Sequence, residues 1–346
     1  MRLTSRFIAF TLVLVAACAD TTAPLPAATE VLLAVNSTAN TLSVVPVNAP
    51  GTGVAIPLGG ATSTPIGVDA RNGIALVPLG SDNSVAIVNL MTGSVTHVQL
   101  PNSSGATGVA IVDDSIAYVA NPNINSVTRV NYLNGDTASI AVGVYPQFIT
   151  FTRGKIFVLN GNLDSTYTPA GPSWITVIDP VTNTVKDTIQ LRGSPGNAQF
   201  ATVGADGLLY VMSSGAYGSG EGWLSIVDPV ARTDLGGFGG FGNSPGPVAA
   251  SGNTLFVSSY SESGVMTFAT DTRTVVRGAG SAITIASNST VAADGNGLVY
   301  AVSSGPCSGG KPGWAHAIRP DLTVGDSVSL GECSVGALFA AIPPAP

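Results

Sequence analysis

Apolar and polar positions alternate along this chain in short bursts, and the bursts recur. One unit opens with Ile116-Ala117-Tyr118-Val119-Ala120-Asn121 and turns at Pro122-Asn123-Ile124-Asn125. It alternates again through Ser126-Val127-Thr128-Arg129-Val130-Asn131 and reaches another turn at Gly135. Aligning the centre of each burst gives Ala34, Leu76, Tyr118, Phe157, Tyr210, Phe256 and Tyr300, spaced by 42, 42, 39, 53, 46 and 44 residues. Seven copies therefore fill the chain from residue 31 onward. β-Branched and aromatic residues with period-two alternation predict strands, four per copy. In the third copy they fall at 116–120, 127–131, 138–142 and 147–152, and no amphipathic helix is predicted after residue 17. A period of roughly 40–50 residues with four strands each predicts a β-propeller.

The phrase Tyr118-Val119-Ala120-Asn121 is followed by Asn125-Ser126-Val127. Trp174-Ile175-Thr176-Val177-Ile178-Asp179-Pro180 and Leu224-Ser225-Ile226-Val227-Asp228-Pro229 echo it. The turn Ala205-Asp206-Gly207 returns as Ala293-Asp294-Gly295. Over residues 31–342 the chain thus resembles the YVTN-type β-propeller repeat family. That resemblance implies a fold and not an activity, because such propellers are scaffolds with many uses. It also implies that the innermost strand of each blade precedes the apolar burst. With strands named a to d from the axis outward, the first copy starts at strand b (31–36), continues with c near 42–47 and d near 54–58, and lacks strand a. The spare strand is 335–342, which is expected to supply it. The expectation is an all-β, seven-bladed propeller of four-stranded antiparallel blades, its ring closed by the C-terminal strand joining the N-terminal blade. Six blades are continuous, at 64–100, 106–142, 146–191, 197–238, 246–280 and 290–330.

The first residues read as an export signal, from which a location outside the cytoplasm is expected. Arg2 and Arg6 precede an apolar run over 7–17, too short for a membrane-spanning helix of about 20 residues. The run ends Val15-Ala16-Ala17-Cys18, which resembles the bacterial lipobox. The resemblance implies a lipoprotein signal peptide at 1–17, lipidation at Cys18, a flexible tether over 18–30 and a single propeller domain over 31–346. An ordinary secretory signal with an unrelated cysteine is the alternative. Ala19 follows Cys18, and by analogy with known lipoproteins the absence of Asp there points to the outer membrane. In an oxidising compartment Cys307 and Cys333 are expected to form a disulfide rather than remain two thiols. Cys307 lies in the b–c loop of the last continuous blade and Cys333 just before the closing strand, on one face. Two His and no Cys-x-x-Cys make a zinc site unexpected. Charged residues are 10% of the chain against a typical ~25%, and the net charge is −7, which excludes the basic surface a nucleic-acid partner needs.

Three b–c connections are long, at 160–173, 213–222 and 303–313, and each is followed by one of the chain's 3 tryptophans: Trp174, Trp223 and Trp314. The loops add Tyr167, Tyr217 and Lys311. Long loops on one face of a rigid ring are where binding is built, and aromatic faces suit sugars and apolar side chains. These six residues are the candidate ligand contacts; alternatively each indole folds inward and pins its own loop. On the opposite face Asp179, Asp206, Asp228 and Asp294 read as turn residues. No catalytic motif occurs. His97 and His316 belong to outer strands, and only Asp69 and Gln199 are polar candidates on the inner strands. No catalytic residue, metal or cofactor is expected. The reading is a monomeric, non-enzymatic binding or scaffolding lipoprotein of the cell envelope. It is held to the membrane through Cys18 and binds an envelope protein, peptide or glycan. A lactonase-like hydrolase or a lyase acting at the channel mouth is the alternative.

Overall fold

The structure, a computed structural model, describes residues 27–60 and 63–344. The signal peptide, Cys18 and most of the tether lie outside the described residues. Seven four-stranded antiparallel sheets form a seven-bladed propeller. Blade one is composite: Ser334–Ile342 is its strand a, followed outward by Thr29–Asn36, Thr41–Pro46 and Val54–Pro57. Blades two to seven are continuous, with inner strands Asp69–Arg71, Val109–Ile111, Pro146–Thr152, Ala198–Val203, Val248–Ser251 and Asn288–Ala293. In blade six the outer edge carries an extra short strand, Ile283–Thr284, which also pairs with strand c. Helix among the described residues is limited to 3-10 turns at Pro50–Thr52, Gly80–Asp82 and Pro122–Ile124.

Period-two alternation gives every blade two apolar faces. In blade one Val31, Leu33 and Val35 pack against Ala75, Val77 and Val88 of blade two, while Leu32 and Ala34 turn to Ala292 and Val302 of blade seven. Seven buried clusters result, one between each pair of neighbouring blades. The repeat residues Ala34, Leu76, Tyr118, Phe157 and Tyr210 are fully buried in them.

Closure is a continuous ladder. Thr29 pairs with Ile342, Val31 with Ala340 and Asn36 with Ser334. The first strand begins at Thr29, two residues inside the segment expected as tether. Asn36 knots the junction. Its Nδ2 donates to Thr41 Oγ1 and Ser43 Oγ, both at 2.9 Å, and its Oδ1 accepts from Gly331 N at 3.1 Å and Ser334 Oγ at 2.7 Å. The same position explains the Asn that ends the apolar burst elsewhere. Asn121 donates to Ser126 and Thr128, and Asn160 to Thr176, tying strand b to strand c. Beside the junction Cys307 and Cys333 form a disulfide across a separation of 26 residues.

Both histidines serve outer strands. His97 Nε2 lies 2.7 Å from Leu58 O, linking blade two to the exit of blade one. His316 Nδ1 lies 2.7 Å from Ser327 Oγ on the neighbouring strand, and burial pushes its pKa down.

Three outcomes follow from the closure and these strands. Replacing Cys307 and Cys333 together by Ser should lower unfolding stability by about 3 kcal/mol, the chain-entropy value for such a loop, and reduction of the wild type should reproduce the loss. Asn36→Ala leaves buried partners unsatisfied and should cost roughly 3 kcal/mol in urea denaturation. His316 has a folded pKa below its unfolded value, so its neutral form is favoured by folding. Its contribution is complete above the unfolded pKa of about 6.5 and is lost as pH falls from there through the lower folded pKa. His316→Gln should therefore narrow the difference in Tm between neutral and mildly acidic buffer. The carboxylates held low by hydrogen bonds, such as Asp164 and Asp321, act only at lower pH.

Candidate functional site

The b–c connections share one face with the d–a connections. On that face, off the axis and over blades four to seven, is a cavity of about 240 Å³. Tyr167, Tyr217 and Tyr260 stand around it, Asn197, Gln199, Ser214, Ser244, Asn288 and Ser289 supply its polar lining, and Phe200 and Pro247 its apolar one. No lining side chain is ionisable at neutral pH.

Each tyrosine arrives by a braced connection. In the blade-four loop the Asp164 carboxylate accepts the N–H groups of Thr166 and Thr168 and the Thr166 hydroxyl, which fixes the tip and holds that carboxyl below its ordinary pKa. Tyr167 N donates back to Asp164 O at 3.0 Å, and its ring sits edge-on to Tyr145 at 5.8 Å. In the blade-five loop Gly218 N donates to Asn243 Oδ1 at 2.9 Å. Tyr260 follows strand Thr254–Ser259, in a short turn closed by Ser263 N on Tyr260 O at 3.2 Å. The rings stay out in solvent: Tyr167 is 66% exposed, Tyr217 92% and Tyr260 62%.

The floor is equally fixed. Gln147 Nε2 donates to Asn197 Oδ1 at 2.8 Å, and Asn197 Nδ2 donates to Gly215 O at 3.2 Å. Gln199 is half-buried, and its amide has no hydrogen bond to any described residue. Gln199, Phe200 and Pro247 also line the adjoining mouth of the central channel, a neutral space of about 120 Å³.

The candidate residues divide. Tyr167 and Tyr217 are brought together at the cavity, whereas Trp174, Trp223, Trp314 and Lys311 are not among its walls. The indoles sit outward, where strand c begins. Trp174 lies over Gly143 and Trp223 over Gly193, each in the connection leaving the preceding blade, and Trp223 also covers Gly237 and Gly239 of its own blade. Trp314, with no such glycine beneath it, is 41% exposed. Lys311 is exposed in the blade-seven loop, beside Gly310, whose N–H reaches Glu332 Oε1. The sequence pattern does not single out Tyr260 and Asn197, because neither lies in a long b–c loop. Tyr260's position at the head of a b–c turn was the available signal.

The other end of the channel is wider, about 520 Å³, and carries Asp69 and Arg71. Asp69 Oδ2 accepts Ile111 N at 2.7 Å and Oδ1 accepts Ala70 N at 2.9 Å; burial nevertheless pushes its carboxyl up. Arg71 turns out to Asp114 at 2.7 Å. The aspartates of that face act in turns: Asp179 Oδ1 caps Val181 N, Asp228 caps Val230 N, Asp206 caps Leu208 N and Asp294 caps Asn296 N. Among the described residues no three His, Cys, Asp or Glu side chains gather in a metal-binding group.

A scan against protein-family models and a search of curated proteins find no match to this chain. Solved structures share its fold at low identity. Hydrazine synthase of Kuenenia stuttgartiensis is similar at 15% identity and a TM-score of 0.64, over 82% of this chain and 93% of that one. Virginiamycin B lyase of Staphylococcus aureus is similar at 14% identity and a TM-score of 0.62, over 76% and 84%. A functionally unknown protein of Desulfotomaculum acetoxidans is similar at 17% and 0.64, over 91% and 99%. At these identities the likeness establishes the β-propeller fold.

Proposed function

We propose that this chain is an exported, lipid-anchored β-propeller of the cell envelope that binds a ligand on its b–c face without transforming it. The observation that carries the reading is the cavity ringed by three exposed tyrosines, with no side chain in its walls charged at neutral pH. Catalysis by proton transfer needs a titratable side chain within reach of the reacting atoms. The channel mouth supplies none, and the cavity supplies only the three phenols, each more than half exposed and without a carboxylate, imidazole or amine beside it in the walls. The channel's ionisable residues, Asp69 and Arg71, line its opposite end. Convergent amides and aromatic rings on braced loops are what a binding site requires. Export and anchoring rest on the order of Arg2 and Arg6, the apolar run and Cys18.

Two arms test this. Full-length protein expressed in bacteria should incorporate an alkyne-tagged fatty acid and sediment with membranes, and Cys18→Ser should do neither; label retained by the variant would refute the anchor. Mature protein should cosediment with lipid-extracted envelope material, and a Tyr167→Ala, Tyr217→Ala, Tyr260→Ala variant of unchanged Tm should stay in the supernatant. Equal sedimentation of the two would refute the b–c face.

A further inference from the structure

Building on the b–c face as the ligand side, we infer that the tyrosine cavity takes a neutral oligosaccharide. Four observations converge on that class.

The first is charge. The chain has 33 formally charged side chains (13 Lys and Arg plus 20 Asp and Glu), and among the described residues none of them lies in the walls of this cavity. An ionised ligand would give up hydration there and find no counter-charge, a cost that a neutral ligand avoids. Of the acids in the surrounding loops, Glu262 is turned to the backbone, accepting Asn243 N at 3.3 Å, and Asp164 is taken up by Thr166 and Thr168.

The second is the arrangement of the rings. Three consecutive blades each raise one tyrosine to the same recess, and all three remain more than half exposed. A tyrosine presents a flat, electron-rich face with little rotamer freedom to lose, and the C–H face of a pyranose lies against such a surface. Three platforms on successive blades fit consecutive units of a chain better than one isolated ring.

The third is the floor. Asn197 is oriented by Gln147 and Gly215, while the Gln199 amide has no hydrogen-bond partner among the described residues. An amide offers a donor and an acceptor side by side, matching the adjacent hydroxyls of a sugar. With the loops already braced, little ordering remains to be done on binding.

The fourth is volume. At about 240 Å³ the cavity lies below the roughly 300–1,000 Å³ of pockets that engulf a drug-sized ligand. It suits a seat for one part of a longer molecule whose flanking units lie over the rim. A peptide recognised by strand addition would need a free sheet edge, and one recognised by its charges would need a charged pocket. The blade edges here face outward on strands d, away from the recess.

Titration calorimetry of the mature protein with cello-, malto-, laminari- and chitohexaose tests this, with oligogalacturonate and an unstructured acidic peptide as charged comparisons. Saturable binding to at least one neutral hexasaccharide is expected, unaffected by ionic strength because no charge takes part. Tyr217→Ala and Tyr260→Ala should each weaken it about tenfold, roughly 1.4 kcal/mol, at unchanged Tm, and Tyr217→Phe should restore it because the ring is retained. Gln199→Leu should weaken binding without altering the fold. No heat with any neutral hexasaccharide at roughly 10 mM, corresponding to a binding free energy weaker than about −3 kcal/mol, overturns the inference. Preference for the charged ligands, or wild-type binding by the tyrosine variants, does the same. If the triple tyrosine variant loses its hold on envelope material while no neutral saccharide binds, the ligand class is wrong and the face is right. If it keeps its hold, the face itself is wrong.

Discussion

The pairing of Ser334–Ile342 with Thr29–Asn36 is the constraint on which the rest of this molecule depends. Each blade alone is a sheet with two apolar faces and no core of its own, and a four-stranded sheet in isolation is barely stable. Stability comes from the seven clusters between blades, and the seventh exists only once the ring is closed. Without closure Leu32, Ala34 and Val45 on one side, and Ala292, Val302 and Ala315 on the other, would face water. The chain therefore joins its two most distant segments, and the junction is secured several times over: by the ladder, by the four hydrogen bonds of Asn36, and by the disulfide. Such a non-local contact forms late and at high entropic cost. A covalent clamp one residue before the closing strand is well placed to hold it.

Most of the fold was legible because a repeat states one structural rule seven times. The spacing of Tyr118, Phe157 and Tyr210 located strand b, the missing strand before Val31 pointed to the spare strand at the other end, and the two cysteines fell on one face. The site was less legible, for a physical reason. Its walls are contributed by four blades and meet only when the ring is built, so no stretch of sequence contains it. The tryptophans were conspicuous because they share a repeat position, but that position opens strand c and faces the preceding blade's exit, where Gly143 and Gly193 leave room for an indole. At Trp174 and Trp223 the shared position coincides with packing on a glycine, whereas Trp314 at the same position is 41% exposed. The tyrosines, scattered in loop tips and turns, carried the cavity.

The two faces of the propeller handle polarity differently. On the a–b and c–d side, carboxylates and amides are spent on turns: Asn89, Asn131, Asp179 and Asp228 each cap the N–H two residues on, and Asp113 holds Ser115 and Ile116. These caps fix Met91, Leu133, Val181 and Val230 in exposed positions at equivalent places on four consecutive blades. On the b–c side the bracing uses Asn, Ser and backbone groups around the cavity, with acids such as Asp164 and Glu262 consumed in holding loops. Much of the acidic balance of the chain is thus turn chemistry on the face away from the cavity.

The channel connects these two environments and shows why the cavity lies where it does. The inner strands of blades two and three are the shortest of the continuous blades, Asp69–Arg71 and Val109–Ile111. Asp69 bridges them through its side chain, whose carboxylate accepts Ile111 N. That buried acid belongs to the wide end of the channel, already committed to two backbone donors. At the narrow end the walls are neutral, and Gln199, Phe200 and Pro247 carry them without a break into the tyrosine recess. The rigid ring holds side chains of four blades in fixed relation beside the narrow mouth of the channel, and the tyrosine-bearing connections rise around them on the b–c face. The preorganised, uncharged seat at this rim is thus a direct product of ring closure.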